Sequence, residues 1–544
     1  MKSSDLFVRC LEQEGVQYLF GLPGEENLEL LESLRHSSIR FISTRHEQGA
    51  AFMADVYGRL TGRAGVCLAT LGPGATNLAT GVADANLDHA PLVAITAQAG
   101  LERIHKESHQ FVDILKCFQP LTKWNTRVER ASVIPEVVRK AFKLAQAEKP
   151  GACHIELPED AAAIEVNQQP LSTVRPRRPS PDHESLLKAA RLIEESVHPI
   201  ILAGNGAVRG RAGEELLRFS KKTGIPVANT FMGKGIVPAE YDLALLTIGL
   251  QSQDYTLCGF DRADLIIVAG YDLVEFSPRH WNPDGKKQII HIDFTPSEVD
   301  AYYQPVVEIV ADIRETLEKL GAEVKGQKDI THTKALRSIL QKEQEVNAAN
   351  DGFPVKPQRI LHEIRRALGP EDILVSDVGA HKIWIARMFP ASRPNTVIIS
   401  NGFAAMGIGL PGAIAAKLVH PDRKVLAVCG DGGFLMTSAE LETASRLGLP
   451  IVVLIFNDHG YGLITWKQQK RFGREFGTRL GNPDLAGLAE SFGAKGYRVE
   501  RAADLGPMLS DAFSQKVPSV IDVPVDYSEN FRFMENMGAF IMRT

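Results

Sequence analysis

Lys424-Val-Leu-Ala-Val-Cys-Gly-Asp-Gly-Gly433 and, further on, Ile451-Val-Val-Leu-Ile-Phe-Asn-Asp458 decide the reading of this chain. Two short apolar runs, each closed by a turn, have the pattern of parallel strands buried on both faces. Between them, Thr437 to Leu447 sets Leu441, Ala444 and Leu447 on one helical face. Strand, helix and strand in that order predict a doubly wound parallel sheet, which binds ligands at the carboxyl ends of its strands. Asp431 and Asn457 stand at two such ends. A carboxylate, an amide oxygen and a nearby backbone carbonyl are hard ligands suited to Mg2+ holding a diphosphate. Gly430, Gly432 and Gly433 let phosphate oxygens approach N–H groups at a helix start. Taken alone, Gly-Asp-Gly is an ordinary strand-to-helix turn. The metal reading needs the whole span and a second half-site elsewhere.

The same alternation runs upstream. Val16–Phe20, Arg40–Thr44, Ala64–Thr70 and Leu92–Thr96 read as strands, separated by helices. Asn167 to His183, with four prolines, reads as an exposed linker. His198–Ala203, Asp264–Ala269 and Gln288–Asp293 are strands of a second unit, whose Gly204 to Gly210 turn lacks the full dinucleotide spacing. Lys325 to Asp351 is polar and charge-rich, and separates a third unit. The predicted fold class is α/β, with three doubly wound parallel-sheet domains over 1–166, 184–324 and 355–544.

At 544 residues, 44% hydrophobic and 23% charged, the chain has the composition of a globular protein. A formal net charge of −5 gives no reason to expect nucleic acid or an anionic membrane as partner. Six scattered cysteines show neither zinc nor redox spacing and are expected to be buried free thiols. With no apolar leader or spanning run, the expected location is cytoplasmic.

The second half-site is sought in Thr44-Arg-His-Glu-Gln-Gly-Ala-Ala-Phe-Met-Ala54, where Glu47 opens a helix. A glutamate there would ordinarily serve the helix dipole. Together with Gly72-Pro-Gly-Ala-Thr-Asn77, however, this run resembles the pyrimidine-binding domain of the acetohydroxyacid synthase group, and Gly430 to Asn457 resembles the thiamine diphosphate fingerprint of the decarboxylase and carboligase superfamily. The resemblance covers essentially the whole chain. It implies three domains: pyrimidine-binding, central and diphosphate-binding. Glu47 becomes the acid that activates the cofactor, with Pro23, Gly24 and Asn77 as neighbours. Asp431, Asn457 and the His459 carbonyl become Mg2+ ligands. Gly379, Ala380 and His381 fall where the family contacts the diphosphate. Ser400-Asn-Gly-Phe-Ala-Ala-Met-Gly-Ile-Gly-Leu-Pro411 makes Met406 the apolar support beneath the bent cofactor. Tyr461, Gly462, Leu463 and Ile464 would contact cofactor or substrate. Active sites would lie at the interface of a homodimer or homotetramer. The chain gives no sign of whether a regulatory subunit binds.

The flavin-associated segments Gly-Met-His-Gly and Arg-Phe-Asp-Asp-Arg of the biosynthetic branch are absent. Their regions read Ile248-Gly-Leu-Gln-Ser-Gln253 and Gly270-Tyr-Asp-Leu-Val-Glu-Phe276. The latter region, with Lys106-Glu-Ser-His-Gln110 and Val523-Pro-Val-Asp-Tyr-Ser528, is similar to the catabolic, flavin-independent acetolactate synthases. No FAD is therefore expected. Gln110 would lie beside the substrate and Lys106 and His109 near it, although by itself this run is a solvated polar loop. Lys467 stands where catabolic members carry glutamine and biosynthetic ones tryptophan; a one-residue slip would bring Trp466 or Gln468 there. The resemblance implies decarboxylation of pyruvate and condensation with a second pyruvate to 2-acetolactate. A 2-keto acid decarboxylase, a carboligase with another acceptor, a cofactor-binding paralogue without turnover and a nucleotide-binding oxidoreductase are the alternatives.

Overall fold

Three parallel sheets of six strands follow one another along the chain. The computed structural model describes residues 1–174, 177–249 and 255–530, with the backbone alone over 255–258. Leu250 to Gln253 of the flavin-related region thus fall outside the described residues. Numbered in sequence order within each sheet, the strands of the first and third both run 2-1-3-4-6-5. Those of the middle sheet run 3-2-1-4-5-6, the order of dinucleotide-binding sheets. The outer units share an architecture that no sequence repeat announces.

In the third sheet, Val425–Gly430 and Val452–Asn457 are neighbours, and Gly430 pairs with Phe456. That register brings Asp431 beside Asn457. The helix expected over 437–447 is instead two short ones, Asp431–Thr437 and Glu440–Arg446. Helical structure begins at once after the strand, through two glycines whose low propensity hid it from the sequence pattern. Lys325 to Asp351 also differs from expectation. It contains a helix, Thr331–Glu345, that buries Leu336 and Leu340 in the core of the middle unit. Two leucines four residues apart suffice for such a narrow stripe.

The first and third sheets belong to one continuous core. Helix Glu47–Thr61 packs on helix Gly409–Val419, both lined with small residues. A Cβ at Gly412 would lie 2.9 Å from Val56 Cγ2, so the helices touch nearly backbone to backbone. Cys10, Cys67, Cys153 and Cys429 are buried and free, as expected, but Cys117 is exposed, and the side chain of Cys258 lies outside the described residues. It lies on the one-turn helix Ile114–Phe118, whose two ends take the inward positions. Among the described residues no helix is long and apolar enough to cross a membrane.

Candidate active site

The first group of side chains lies at the carboxyl edge of the first sheet. His46 caps the helix that Glu47 begins, its Nδ1 accepting from Gln48 N at 3.1 Å. Glu47 is 7% exposed, and its Oε2 accepts from Asn77 Nδ2 at 3.0 Å. Pro23 and Gly24 follow the first strand, Gly24 packing against Thr70 at the end of the third. The loop carrying Lys106, His109 and Gln110 folds over the same edge: the Gln110 carbonyl fills the space a side chain at Gly72 would need, with left-handed backbone at both residues, φ 55° and 51°. The three loop side chains are exposed. Glu440, from the third unit, completes this group without having been anticipated. Its Oε1 accepts from the N–H groups of Arg45 and His46 at 3.0 and 3.1 Å, fixing the entry to the Glu47 helix. Burial pushes its carboxyl upward in pKa. These partners stand 395 and 394 residues apart, so no local pattern could reveal them.

The second group lies at the carboxyl edge of the third sheet. Asp431 and Asn457 are 1% and 5% exposed. Asp431 Oδ2 and Asn457 Oδ1 converge on one donor, the Asn482 side-chain amide, at 2.7 and 2.9 Å. The Asn457 amide is oriented by its own donation to Asp522 Oδ1 at 2.8 Å. Two oxygens aimed at a common point are what a hard cation requires. His459 has left-handed backbone, φ 53°, and its carbonyl accepts from Leu480 N at 2.8 Å, which leaves a second lone pair. Among the described residues no three His, Cys, Asp or Glu side chains gather as a metal site. The oxygen set here is one carboxylate, one amide and one backbone carbonyl, and it fits Mg2+. Sequence reading missed Asn482, whose Gly-Asn-Pro-Asp context is that of any turn.

His381 is buried beside Gly430 and 5.9 Å, centroid to centroid, from the Phe456 ring. Burial lowers its pKa to about 3, and its Nε2 has no hydrogen-bond partner. An orphaned, buried nitrogen at this edge fits a diphosphate, whose charge would favour the protonated ring and reverse the effect of burial. Gly379 and Ala380 open the same helix, Ala380–Met388. Tyr461 packs its ring against Gly432, where a Cβ would be 2.9 Å from Cε1, and Gly433 lies against Asp377. Helix Gly462–Phe472 then divides its faces: Trp466 turns into the domain core, Leu463 is half-buried, and Ile464 and Lys467 are exposed. Trp466 therefore backs this helix from behind, while Lys467 stands on the open side. Met406 is half-buried between Ala405 and Gly407.

The chain matches models of three thiamine pyrophosphate enzyme domains in order. The N-terminal TPP binding domain matches residues 1–117, the central domain 186–320 and the C-terminal TPP binding domain 377–523. It is 36% identical to "Acetolactate synthase" of Bacillus subtilis (strain 168), covering 97% of this chain and 94% of that protein. "Acetolactate synthase, catabolic" of Raoultella terrigena is 37% identical, covering 97% and 95%. "Probable acetolactate synthase large subunit" of Methanocaldococcus jannaschii is 35% identical, covering 97% and 93%. Two strand edges furnished for one cofactor, and similarity that runs nearly end to end, place this chain in the acetolactate synthase family of thiamine pyrophosphate enzymes.

Proposed function

We propose that the chain makes 2-acetolactate from two pyruvates without a flavin, using thiamine diphosphate anchored through Mg2+. Carbon dioxide leaves the first pyruvate, and a carbon–carbon bond forms between the carbonyl carbons of the two substrates. Thiamine diphosphate supplies the nucleophilic carbon and the sink for the electron pair released with carbon dioxide. The observation that carries the cofactor reading is the convergence of Asp431 and Asn457 on one point; full-length similarity to proteins named acetolactate synthase carries the reaction.

Each group then has its work. Glu47, held by Asn77, would supply a proton to the aminopyrimidine ring of the bound cofactor. Asp431, Asn457 and the His459 carbonyl hold Mg2+, and His381 meets the diphosphate. Met406 would support the bound cofactor, while Leu463, Ile464 and the 106–110 loop would exclude water and border the substrate. Lys467, exposed on the helix after Tyr461, offers a cation to the acceptor carboxylate. A second copy of the chain completes the site by bringing its Glu47 to this Asp431. Ile464, Phe472 and Phe476, which are 47%, 61% and 88% exposed, are apolar surface that such a copy would cover.

Two features support flavin independence. The Gly204 turn sits at the switch point of the middle sheet but packs directly on the Gly270 carbonyl and Tyr271, so its backbone is closed to a ligand. The Glu275 carboxylate accepts from Asn205 N and Met232 N, both at 3.1 Å, and so takes the position an anion would use. Pyruvate, thiamine diphosphate and Mg2+ without FAD are thus expected to give acetolactate, detected as acetoin after acid treatment. Acetaldehyde as the sole product, or a requirement for FAD, would refute the reading.

Asn482 is expected to orient the metal-binding oxygens. Asn482→Ala should weaken Mg2+ binding by about 10- to 100-fold, the usual cost of losing an outer-shell partner. Titrating cofactor binding against Mg2+ measures it, and unchanged affinity would remove Asn482 from the site.

A further inference from the structure

The turn Ile399–Gly407, which carries Met406, is held by side chains at four of its backbone N–H groups and three of its carbonyls. Asp88 accepts from the N–H groups of Asn401 and Gly402. Asp84 Oδ1 accepts from Ser400 Oγ at 2.8 Å and Ala405 N at 3.1 Å. Asp377 Oδ1 accepts from Gly407 N at 2.8 Å. Of the carbonyls, Ile399 accepts from Arg59 at 3.1 Å, Ser400 from Lys382 at 3.1 Å and Gly407 from Thr437 Oγ1 at 2.9 Å. The turn needs this grip, because Ala404 has left-handed backbone, φ 57°, a conformation that non-glycine residues adopt at a cost. Strained backbone persists where its surroundings over-determine it, and such places cluster at functional sites.

The two anchors nearest Met406 come from different units: Asp84 from the first holds residue 405, and Asp377 from the third holds residue 407. Asp84 belongs to an unusual group. One guanidinium, Arg59, faces the carboxyls of Asp55, Asp84 and Asp88 at 2.6, 3.2 and 2.6 Å, all three fully buried. Three ionised carboxylates around one cation would leave buried net charge, which proteins relieve by protonation. Burial and the neighbouring aspartates push Asp84 well above the carboxylate range, and it hydrogen-bonds to Asp55. Asp84 thus ties this buried group to the turn, its Oδ2 accepting from Arg59 at 3.2 Å and its Oδ1 from Ser400 and Ala405.

We propose that Asp84 is a positioning residue for the reaction: by anchoring Ser400 Oγ and Ala405 N–H it sets the height of Met406 beneath the rings of the bound cofactor. This rests on the role given above to Met406. The test reads ring geometry without turnover. Cofactor-loaded enzyme, checked for folding and oligomeric state, is pulsed in D2O, quenched in acid, and the loss of the thiazolium C2 proton is followed by NMR. Asp84→Ala at saturating cofactor is expected to slow exchange by about 10- to 100-fold, the effect of a misplacement of up to about 1 Å. Asp84→Asn, whose side-chain oxygen can still accept from Ser400 Oγ and Ala405 N–H although its amide nitrogen cannot accept from Arg59, should exchange faster than Asp84→Ala. Wild-type exchange in Asp84→Ala would overturn the proposal, as would equal slowing in both variants. Should Asp84→Ala fail to fold, Ser400→Ala removes one of the two anchors and should slow exchange to a lesser degree; an unchanged rate overturns the proposal. Met406→Ala separates the two layers. If it is slow while Asp84→Ala is not, only the Asp84 inference falls; if it exchanges normally, the Met406 reading falls.

Discussion

Glu47→Gln is expected to reduce kcat by about 10²- to 10⁴-fold, the span that a positioned general acid–base group contributes. The amide keeps the size of the side chain and can still bond Asn77, so fold and cofactor affinity should change little. What would be lost is the proton that Glu47 is proposed to lend to the ring. A kcat within a few-fold of wild type would show that the buried carboxyl serves the helix start and nothing more. Because Glu47 is already paired with Asn77 and screened from water, a neighbouring carboxylate is poorly placed to substitute for it.

Asp431→Asn should act on binding. It removes the only carboxylate of the proposed metal set and leaves two side-chain amides facing each other. Affinity for thiamine diphosphate at fixed Mg2+ is expected to fall by about 100-fold or more, beyond what loss of a supporting partner alone costs. Fluorescence titration of the variant measures this, and affinity near wild type would refute the metal role. The two variants together test the shared site. Mixed after dissociation and reassociated, they should recover about a quarter of the wild-type sites, since half of randomly paired two-fold dimers are hybrids and each hybrid has one intact site. No recovery would mean that Glu47 and Asp431 act within one chain.

The parts of this site that were legible are those written in consecutive residues. The apolar runs before Gly430 and Asn457 fixed two strand ends, and the paired register did the rest. Glu47 was singled out through the run that follows it, and the structure buries it at a strand edge beside Asn77. What stayed hidden depends on contacts between distant segments. Glu440 reaches back 395 residues to Arg45, and Asp84 reaches forward 316 to Ser400. Periodicity reports which face of a helix is buried and says nothing of what covers it. The helix Thr331–Glu345 was concealed for another reason: its charged residues outnumber the leucines that dock it. The dinucleotide order of the middle sheet emerged only in three dimensions, and there the Gly204 turn is packed shut.

The helix from Glu47 to Thr61 is 15 residues long, a rod of about 22 Å. At its near end stands the acid proposed to serve the partner's cofactor; in its last turn Arg59 grips the turn beneath its own. In the proposed two-fold dimer each such rod would be a strut with a foot in both catalytic chambers. A shift of the Met406 turn as one chamber fills would travel along the strut to the acid of the other. Such chambers would load as a linked pair, with the second cofactor meeting a protein already altered by the first.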